Sequence, residues 1–378
     1  MPRHLVPRRL PTVSLVPIAL TAVAALTLVA CGDPQPLVIG DGMPRGSAPS
    51  VDSVARLAID SGGLRQRIGI APWKVAPGLG IVRAVDGAVR FAQNESLIGV
   101  VGHPGSQESL LAASVYNDRG IPQVVPNATS RRLASVGPWT FTLSPNDSVE
   151  GAFLASYAID ALHGQRIAVV YVGDEYGAGL RDGVRSKLVS RGLDLVDATM
   201  VPNAGCGGSS LELQRAMILA SLRRSRPDVV VLAIGISNSA CIAEIINAER
   251  PDAWILGGDG FDGEAREIRN LSDSVKQRIL SVRLWTPDTD SVNRLFIARF
   301  RRIVGREPSV PEALGYDGFA LLAAAAREGG GTRAGVRRWL ESLGHSRRAF
   351  PGVTGPISFD HGRVGAQMRM APIDGPLP

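Results

Sequence analysis

The chain of 378 residues is long enough for one large or two medium domains, and its apolar content of 45% is typical of a globular protein. The formal net charge is +6; the three arginines of the first thirty residues account for half of it, which leaves +3 for the remainder. Basic residues are scattered among acids, without a long run interleaved with aromatics. This pattern argues against a nucleic-acid-binding protein.

The first thirty residues predict an export signal and not a part of the fold. A basic start, MPRHLVPRR, precedes the apolar run 15–30, and small residues stand just before Cys31. The run is shorter than the ~20 apolar residues of a spanning helix, and no basic flank follows it. "LVAC" resembles the lipobox of bacterial lipoproteins, which implies cleavage and lipid attachment at Cys31. An ordinary secretory signal with a chance cysteine is the alternative.

After a short tether at 31–35, apolar runs alternate with segments of helical periodicity along the whole chain. The predicted strands are 36–40, 66–73, 96–102, 121–127, 140–145, 166–173, 193–201, 228–235, 253–258 and 278–285. The predicted helices are 50–63, 80–94, 109–118, 148–162, 179–192, 210–225, 241–250, 290–304, 311–328 and 332–343. A hairpin is predicted over 355–373.

Strands that are nearly continuous in Val, Ile, Leu and Ala, and that alternate with helices, indicate parallel sheets covered on both faces. More than ten strands are too many for one sheet, so two α/β lobes are predicted. In such sheets ligands bind beyond the carboxyl ends of the strands, at helix N-termini. The loops to inspect are therefore GHPGSQES, VPNATS, VGDEYGAG, IGISNSAC and GGDGFDG.

Motifs of catalysis are missing or incomplete in this sequence. The dipeptide Gly-Lys does not occur, which excludes a phosphate-binding P-loop, and neither C-x-x-C nor H-E-x-x-H is present. The glycines of 258–263 match a dinucleotide fingerprint but lack the acid expected about 20 residues on. Ser106 lacks the glycine of a nucleophile elbow, and His103 is interpreted as a packing histidine. We therefore expect no enzyme, no cofactor and no metal, but binding without reaction.

The two cysteines that remain after Cys31 predict one disulfide. Cys206 lies in a Gly-rich loop just before a helix, and Cys241 opens a helix just after a strand. Both positions are βα-type ends of elements expected to be neighbours, so a Cys206–Cys241 bridge is geometrically reasonable in an oxidising compartment. Two unrelated buried thiols are the alternative.

The segment LIGVVGHPGSQESLLAASVYNDRGIPQVVPNATS, residues 97–130, resembles type I periplasmic binding proteins of the leucine/isoleucine/valine-binding class, the receptors of ABC importers. Its turn, its helix ending before GIP and the following P-x-A-T all fit that class. Later segments match in order, so the resemblance extends over about 97–365; these segments are 141–159, 166–184, 227–235, 255–261 and 312–330.

The resemblance implies a ligand site between the two lobes. Ser106, the backbone at Asn127, and Thr129 would hold an α-carboxylate through charge-assisted hydrogen bonds. Tyr176 would form an aromatic wall, and Asp259 would meet the ligand ammonium. The alternative is that Ser106 and Thr129 merely cap helices and that Asp259 caps a turn.

The resemblance also implies lobes 36–145 with 288–345, and 146–287 with 346–378, joined by three hinge crossovers. These crossovers are expected at 144–148, 286–288 and 343–351. Two departures from the class concern the specificity pocket. The stretch before Leu97 is shortened, and Ser237 or Asn238 stands where the class usually has an aromatic residue.

The function expected from these features is that of a monomeric receptor, lipid-anchored through Cys31 in the periplasm or at the cell surface. It would bind an amino acid or small carboxylate and deliver it to an ABC permease. The alternative is a lipoprotein of the same fold that contacts penicillin-binding proteins and regulates cell-wall synthesis without a small ligand. A catalytic lipoprotein is the least favoured interpretation.

Overall fold

The computed structural model describes residues 36–43, 49–61, 68–72, 80–202, 208–261, 270–287, 290–360, 362–364 and 368–373. The predicted signal and tether, Cys31 and Cys206 lie outside these ranges, and the predictions about them stay predictions. Among the described residues, no helix has both the length and the apolar character needed to cross a bilayer.

The described elements follow the predicted alternation of strands and helices. The strands are β1 (Leu37–Asp41), β2 (Ile68–Pro72), β3 (Leu97–Val101), β4 (Gln123–Val125), β5 (Thr140–Thr142), β6 (Ile167–Val172), β7 (Asp197–Val201), β8 (Val229–Ala233), β9 (Trp254–Gly257), β10 (Ile279–Arg283), β11 (Phe350–Gly352), β12 (Gly355–Ile357), β13 (Phe359–Asp360), β14 (Arg363–Val364) and β15 (Arg369–Pro372). The helices are α1 (Pro49–Ser61), α2 (Gly80–Ala92), α3 (Ser106–Asp118), α4 (Asp147–Asp160), α5 (Glu175–Ser190), α6 (Gly208–Ser225), α7 (Ile236–Glu249), α8 (Asp273–Lys276), α9 (Ser291–Val304), α10 (Val310–Glu328) and α11 (Arg333–Ser342). A 3₁₀ turn at Arg131–Ser135 precedes β5.

The strands form two large sheets, as the sequence predicts. The first has the order β13-β14-β5-β4-β3-β1-β2, and the strands from β5 to β2 run parallel. The second has the order β15-β10-β9-β8-β6-β7, parallel except at β15. Strands β3 and β8 are buried at every position, because helices cover both faces of a parallel sheet.

The C-terminal part differs from the predicted single hairpin. Strands β13 and β14 pair with each other, and Arg363 of β14 pairs with Thr142, which closes the open edge of β5. The chain joins the second sheet only at β15, antiparallel to β10. Residues 346–378 therefore contribute strands to both sheets, and the last passage lies after Val364, not at 343–351. The lobe boundaries themselves stay a prediction.

Helices α4 and α5 of the second sheet's layer approach each other very closely. A Cβ atom on Gly151 of α4 would lie 2.5 Å from the backbone nitrogen of Val184, and one on Gly183 would lie 2.5 Å from the carbonyl oxygen of Asp147. Only glycine allows backbones this near to each other. The first turn of α4 is thereby held beside α5, at the level where the site lies.

His103 is a packing histidine, as predicted. It is 2% exposed; its Nδ1 lies 3.0 Å from the carbonyl oxygen of Gly42 and its Nε2 lies 3.1 Å from the hydroxyl oxygen of Tyr116. Burial lowers the pKa of His103 to about 4, so the ring is neutral at physiological pH. The ring ties the loop after β1 to helix α3, and both its nitrogens are occupied in doing so.

Candidate functional site

Ser106 is the first residue of α3, directly beyond the carboxyl end of β3. The helix begins three residues before the predicted start, and Gly105 at its N-cap offers no side chain to the first-turn amides. Ser106 is 7% exposed. An uncapped helix N-terminus with a hydroxyl beside it is suited to a carboxylate, because its amide hydrogens lack intrahelical partners.

Asn127 and Thr129 follow β4, the neighbour of β3 in the first sheet. Oδ1 of Asn127 is buried without a hydrogen-bond partner. Thr129 is 2% exposed, and its carbonyl oxygen accepts a hydrogen bond of 2.8 Å from the amide of Asp147. The loop after β4 is therefore joined directly to the start of α4.

Tyr176 and Asp259 meet at the carboxyl ends of the second sheet's strands. Tyr176 lies in the first turn of α5, and its hydroxyl accepts a hydrogen bond of 3.2 Å from the amide of Gly260. The same hydroxyl lies against the carboxylate of Asp259 and opposes the rise of its pKa. The amide of Asp259 donates to Oε1 of Glu150 at 2.6 Å. The structure thus brings this predicted pair together and adds a second acid to it.

Two acids that sequence reasoning missed complete this cluster. Asp147 and Glu150 lie in the first turn of α4 and are 1% and 0% exposed. Neither carboxylate oxygen of Asp147 makes a hydrogen bond of acceptable geometry, and Oε2 of Glu150 and Oδ1 of Asp259 are also buried without a partner. We call Asp147, Glu150 and Asp259 the acidic cluster.

Burial is the main cause of the unusual pKa values in the acidic cluster. It raises the pKa of Asp147 to about 7, opposed by the Thr129 hydroxyl and increased by the charge of Asp259. The pKa of Glu150 is raised well above its usual value by burial and by Asp259. The pKa of Asp259 rises to about 6, because burial outweighs the hydrogen bonds from Tyr176 and Glu150. Such shifts are typical of functional sites.

Acidic residues in the first turn of a predicted helix do not by themselves indicate a functional site. There they normally complement the helix dipole or cap the backbone, and Asn146 does cap α4 by accepting from the amide of Val149 at 3.1 Å. Only the close approach of α4 to α5 shows that Asp147 and Glu150 turn inward. The one sequence feature that hinted at this orientation is Gly151, which follows Asp147 by four residues and Glu150 by one.

A small cavity lies at the edge of the cluster, where the two sheets' layers meet. Its volume is about 20 Å³, room for roughly one water molecule. Its lining residues are Asn127, Asp259, Val282, Arg283, Leu284, Val310 and Pro311. This cavity by itself is too small to hold an amino acid.

A polar clasp, Ser130 and Arg132 on one side and Glu175 on the other, joins the loop after β4 to α5. The hydroxyl of Ser130 donates to Oε1 of Glu175 at 2.7 Å, and Nη1 of Arg132 lies 3.2 Å from its Oε2. Ser130 is 3% exposed, whereas the Arg132 side chain is 67% exposed. The hydroxyl contact is therefore the better-shielded half of the clasp.

Four of the five predicted ligand residues are connected to one another in the part of the chain that the structure describes, and Ser106 is not. Asn127 and Asp259 line one cavity, Tyr176 touches Asp259, and Thr129 reaches the cluster through Asp147. Among the described residues, no hydrogen bond joins Ser106 to these four. The side chains of Ser237 and Asn238 lie outside the described part of the chain. Their predicted role stays a prediction.

Comparisons with known proteins all find binding proteins of one kind. A family model for periplasmic binding proteins matches residues 81–376. The chain is 25% identical over 263 residues to Leu/Ile/Val-binding protein homolog 1 of Brucella abortus, which covers 69% of this chain and 67% of that one.

Two solved structures share the fold. A leucine binding protein, LivK, of Thermotoga maritima has a TM-score of 0.75 at 20% identity, covering 88% of this chain and 94% of that one. LivJ of Streptococcus pneumoniae, solved with isoleucine, has a TM-score of 0.72 at 19% identity, covering 89% and 95%. At these identities the likeness establishes the fold alone. The family match, which spans most of the chain, establishes more: this protein belongs to the periplasmic binding protein family, with the two-lobed α/β architecture of type I.

Proposed function

We propose that the protein is an extracytoplasmic solute receptor that binds an amino acid between its lobes and delivers it to an ABC importer. The observation that carries this is the pairing of Asp259 with Tyr176 at the end of the second sheet, in a chain whose first sheet offers the uncapped start of α3. A carboxylate held at α3 and an ammonium held at Asp259 describe an α-amino acid. Relatives named for leucine, isoleucine and valine support the same class.

The proposal includes no catalysis. The relatives carry the names of binding proteins, which supports a role in binding without reaction. The alternative of a cell-wall regulator without a small ligand is not favoured by these relatives.

We infer two covalent features, each of which involves a cysteine outside the described residues. The lipobox-like LVAC supports lipid attachment at Cys31, which would anchor the monomer to a membrane surface. A Cys206–Cys241 disulfide is supported by the state of Cys241, which is that of a disulfide-bonded cysteine. Intact mass spectrometry with and without a reductant tests the second inference. A free thiol at Cys206 in the non-reduced protein would contradict it.

A thermal-shift screen of the protein from residue 32 onward, which omits the lipid site, tests the proposed function. Ligand at 100 times its Kd stabilises the folded state by about 2.7 kcal/mol, so we expect the melting temperature to rise by several degrees with an amino acid from a broad panel. Small carboxylates without an ammonium serve as the comparison set. No shift with any amino acid or carboxylate would reject the proposal and favour a protein-binding role.

The clasp gives a further expected result. Glu175→Gln removes the charge that Ser130 and Arg132 share, and should weaken ligand binding about 10-fold or more, since a charged hydrogen bond contributes about 1.5–3 kcal/mol and each 1.4 kcal/mol corresponds to about tenfold. Titration calorimetry measures the affinity, and small-angle scattering measures closure. The matched control is Arg185→Gln, which changes another residue of α5 and breaks its exposed pair with Asp194. An unchanged affinity in Glu175→Gln would show that the clasp does not favour the closed form.

A further inference from the structure

The acidic cluster holds more carboxyl groups than the single ammonium group of a simple α-amino acid can meet. An amino acid with an apolar side chain brings one ammonium group, which Asp259 alone would meet. Asp147 and Glu150 add two further carboxyl groups whose electrostatic influence reaches Asp259. The following inference rests on the proposed function and concerns the chemical class of its ligand.

Within the described chain, the acidic cluster has no internal cation to neutralise it. With the residues that the structure describes, none of its three members forms an ion pair, whereas the exposed Asp160 of the same helix lies 2.7 Å from Arg191. Arg283 lines the neighbouring cavity, but the main influences on the pKa values of the cluster are burial, hydrogen bonds and other acids. Buried carboxyl groups without a partner are costly unless a cation or a proton joins them.

A second buried acid shows how this chain treats a purely structural carboxylate. Asp317 of α10 is 0% exposed, and its oxygens accept from the amides of Val353 and Thr354 at 2.8 and 2.9 Å and from the Thr354 hydroxyl at 2.6 Å. Asp147 is 1% exposed, yet apart from the influence of the Thr129 hydroxyl neither of its oxygens has a hydrogen-bond partner of good geometry among the described residues. Asp317 fixes a hairpin, whereas the Asp147 carboxylate, which lies beside Gly179 of α5, accepts no comparable set of backbone hydrogen bonds from that part of the chain.

The acceptor capacity of the site suits an organic cation. Asn127 adds another buried, unpartnered acceptor, and it lines the same cavity as Asp259. Among the described residues, no group of His, Cys, Asp and Glu side chains is arranged to hold a metal ion. Several N–H donors on one ligand would satisfy these oxygens, because ammonium and guanidinium groups carry three to five donors each.

We propose that the cleft selects dibasic amino acids, with Asp259 at the α-ammonium and with Asp147 and Glu150 accepting from a second ammonium or guanidinium group. Closure around such a ligand would replace unpartnered oxygens by charge-assisted hydrogen bonds in a shielded site. The second group must lie near the first, which favours ligands whose two cationic groups can fold toward one another.

Matched ligand pairs test this proposal by titration calorimetry. L-Arginine is compared with its neutral isostere L-citrulline, and L-lysine with L-norleucine, which lacks only the second ammonium. We expect the cationic member of at least one pair to bind about 10-fold or more tightly, as expected for a charge-assisted contact. Binding of norleucine or leucine with no preference for either cation would overturn the proposal and leave the proposed function intact. Absence of binding by every amino acid would overturn both.

Variants of the cluster separate the second cationic site from the first. Asp147→Asn and the isosteric Glu150→Gln should each bring the arginine-to-citrulline or lysine-to-norleucine ratio toward one, and the second serves if the first fails to fold. Asp252→Asn, which alters an exposed acid of the same lobe, should leave the ratio unchanged. Circular dichroism establishes folding. A ratio that persists in both cluster variants would refute a role for these acids in ligand selection.

Discussion

Replacing Asp259 by Asn is expected to weaken amino-acid binding about 30-fold or more. The variant keeps the shape of the side chain but removes the charge opposite the ligand ammonium, and truncating one partner of a buried charged pair costs about 2–5 kcal/mol. Each 1.4 kcal/mol corresponds to about a tenfold change in Kd. Titration calorimetry with the tightest amino acid found in the thermal screen measures the effect.

The unliganded Asp259→Asn protein should be at least as stable as the parent. Asp259 is a carboxylate whose pKa burial raises to about 6, and removing it relieves repulsion with Glu150. Loss of binding together with an undiminished melting temperature therefore separates a ligand-binding role from a structural one. Asp252→Asn again supplies the exposed control. If Asp259→Asn melted well below the parent and still bound ligand normally, Asp259 would be a turn-capping residue.

The sheets were the most predictable part of this protein. Strands β3 and β8 lie within continuous apolar runs, and their complete burial follows from the helices on both faces. The start of α3 was less predictable, because Ser106 and Gln107 continue the helix with polar residues that hydrophobic periodicity does not register. That difference matters, since it moves Ser106 from the loop into the first turn of the helix.

The least predictable features depend on contacts between distant segments. Strand β14 has two residues, and its place beside β5 is set by a partner more than 200 positions earlier in the chain. Asp147 and Glu150 likewise can be recognised as site residues only from the tertiary structure, because α4 approaches α5 closely and Asp259, about 110 residues later, lies beside them. Tyr176 and Asp259 were found by resemblance to a family, and the structure adds that they touch.

The pH dependence of stability offers an independent test of the acidic cluster. Asp147 has a folded-state pKa of about 7 against an ordinary value of 3.8, so the native state holds a proton that the unfolded state has released. The contribution of this group is fully present below about pH 4 and is lost as pH rises through 7. His103, whose pKa is lowered to about 4, acts in the opposite direction but only below pH 6.5.

Between pH 6 and 8 the unliganded protein should therefore lose stability, by about 1 kcal/mol from Asp147 alone. Glu150, with a pKa raised well above its usual value, increases the loss, while Asp259 and Asp317, both near 6, contribute mainly at the acid end of this range. Asp147→Asn should flatten the profile measured by urea unfolding at fixed ionic strength. A stability that rises from pH 6 to 8 in the parent, or an equal slope in the variant, would contradict the shifted pKa of Asp147.

A bound ligand cation replaces the protons of the acidic cluster, so ligand binding should release protons. The affinity for the ligand should therefore increase over the same pH range in which the free protein becomes less stable.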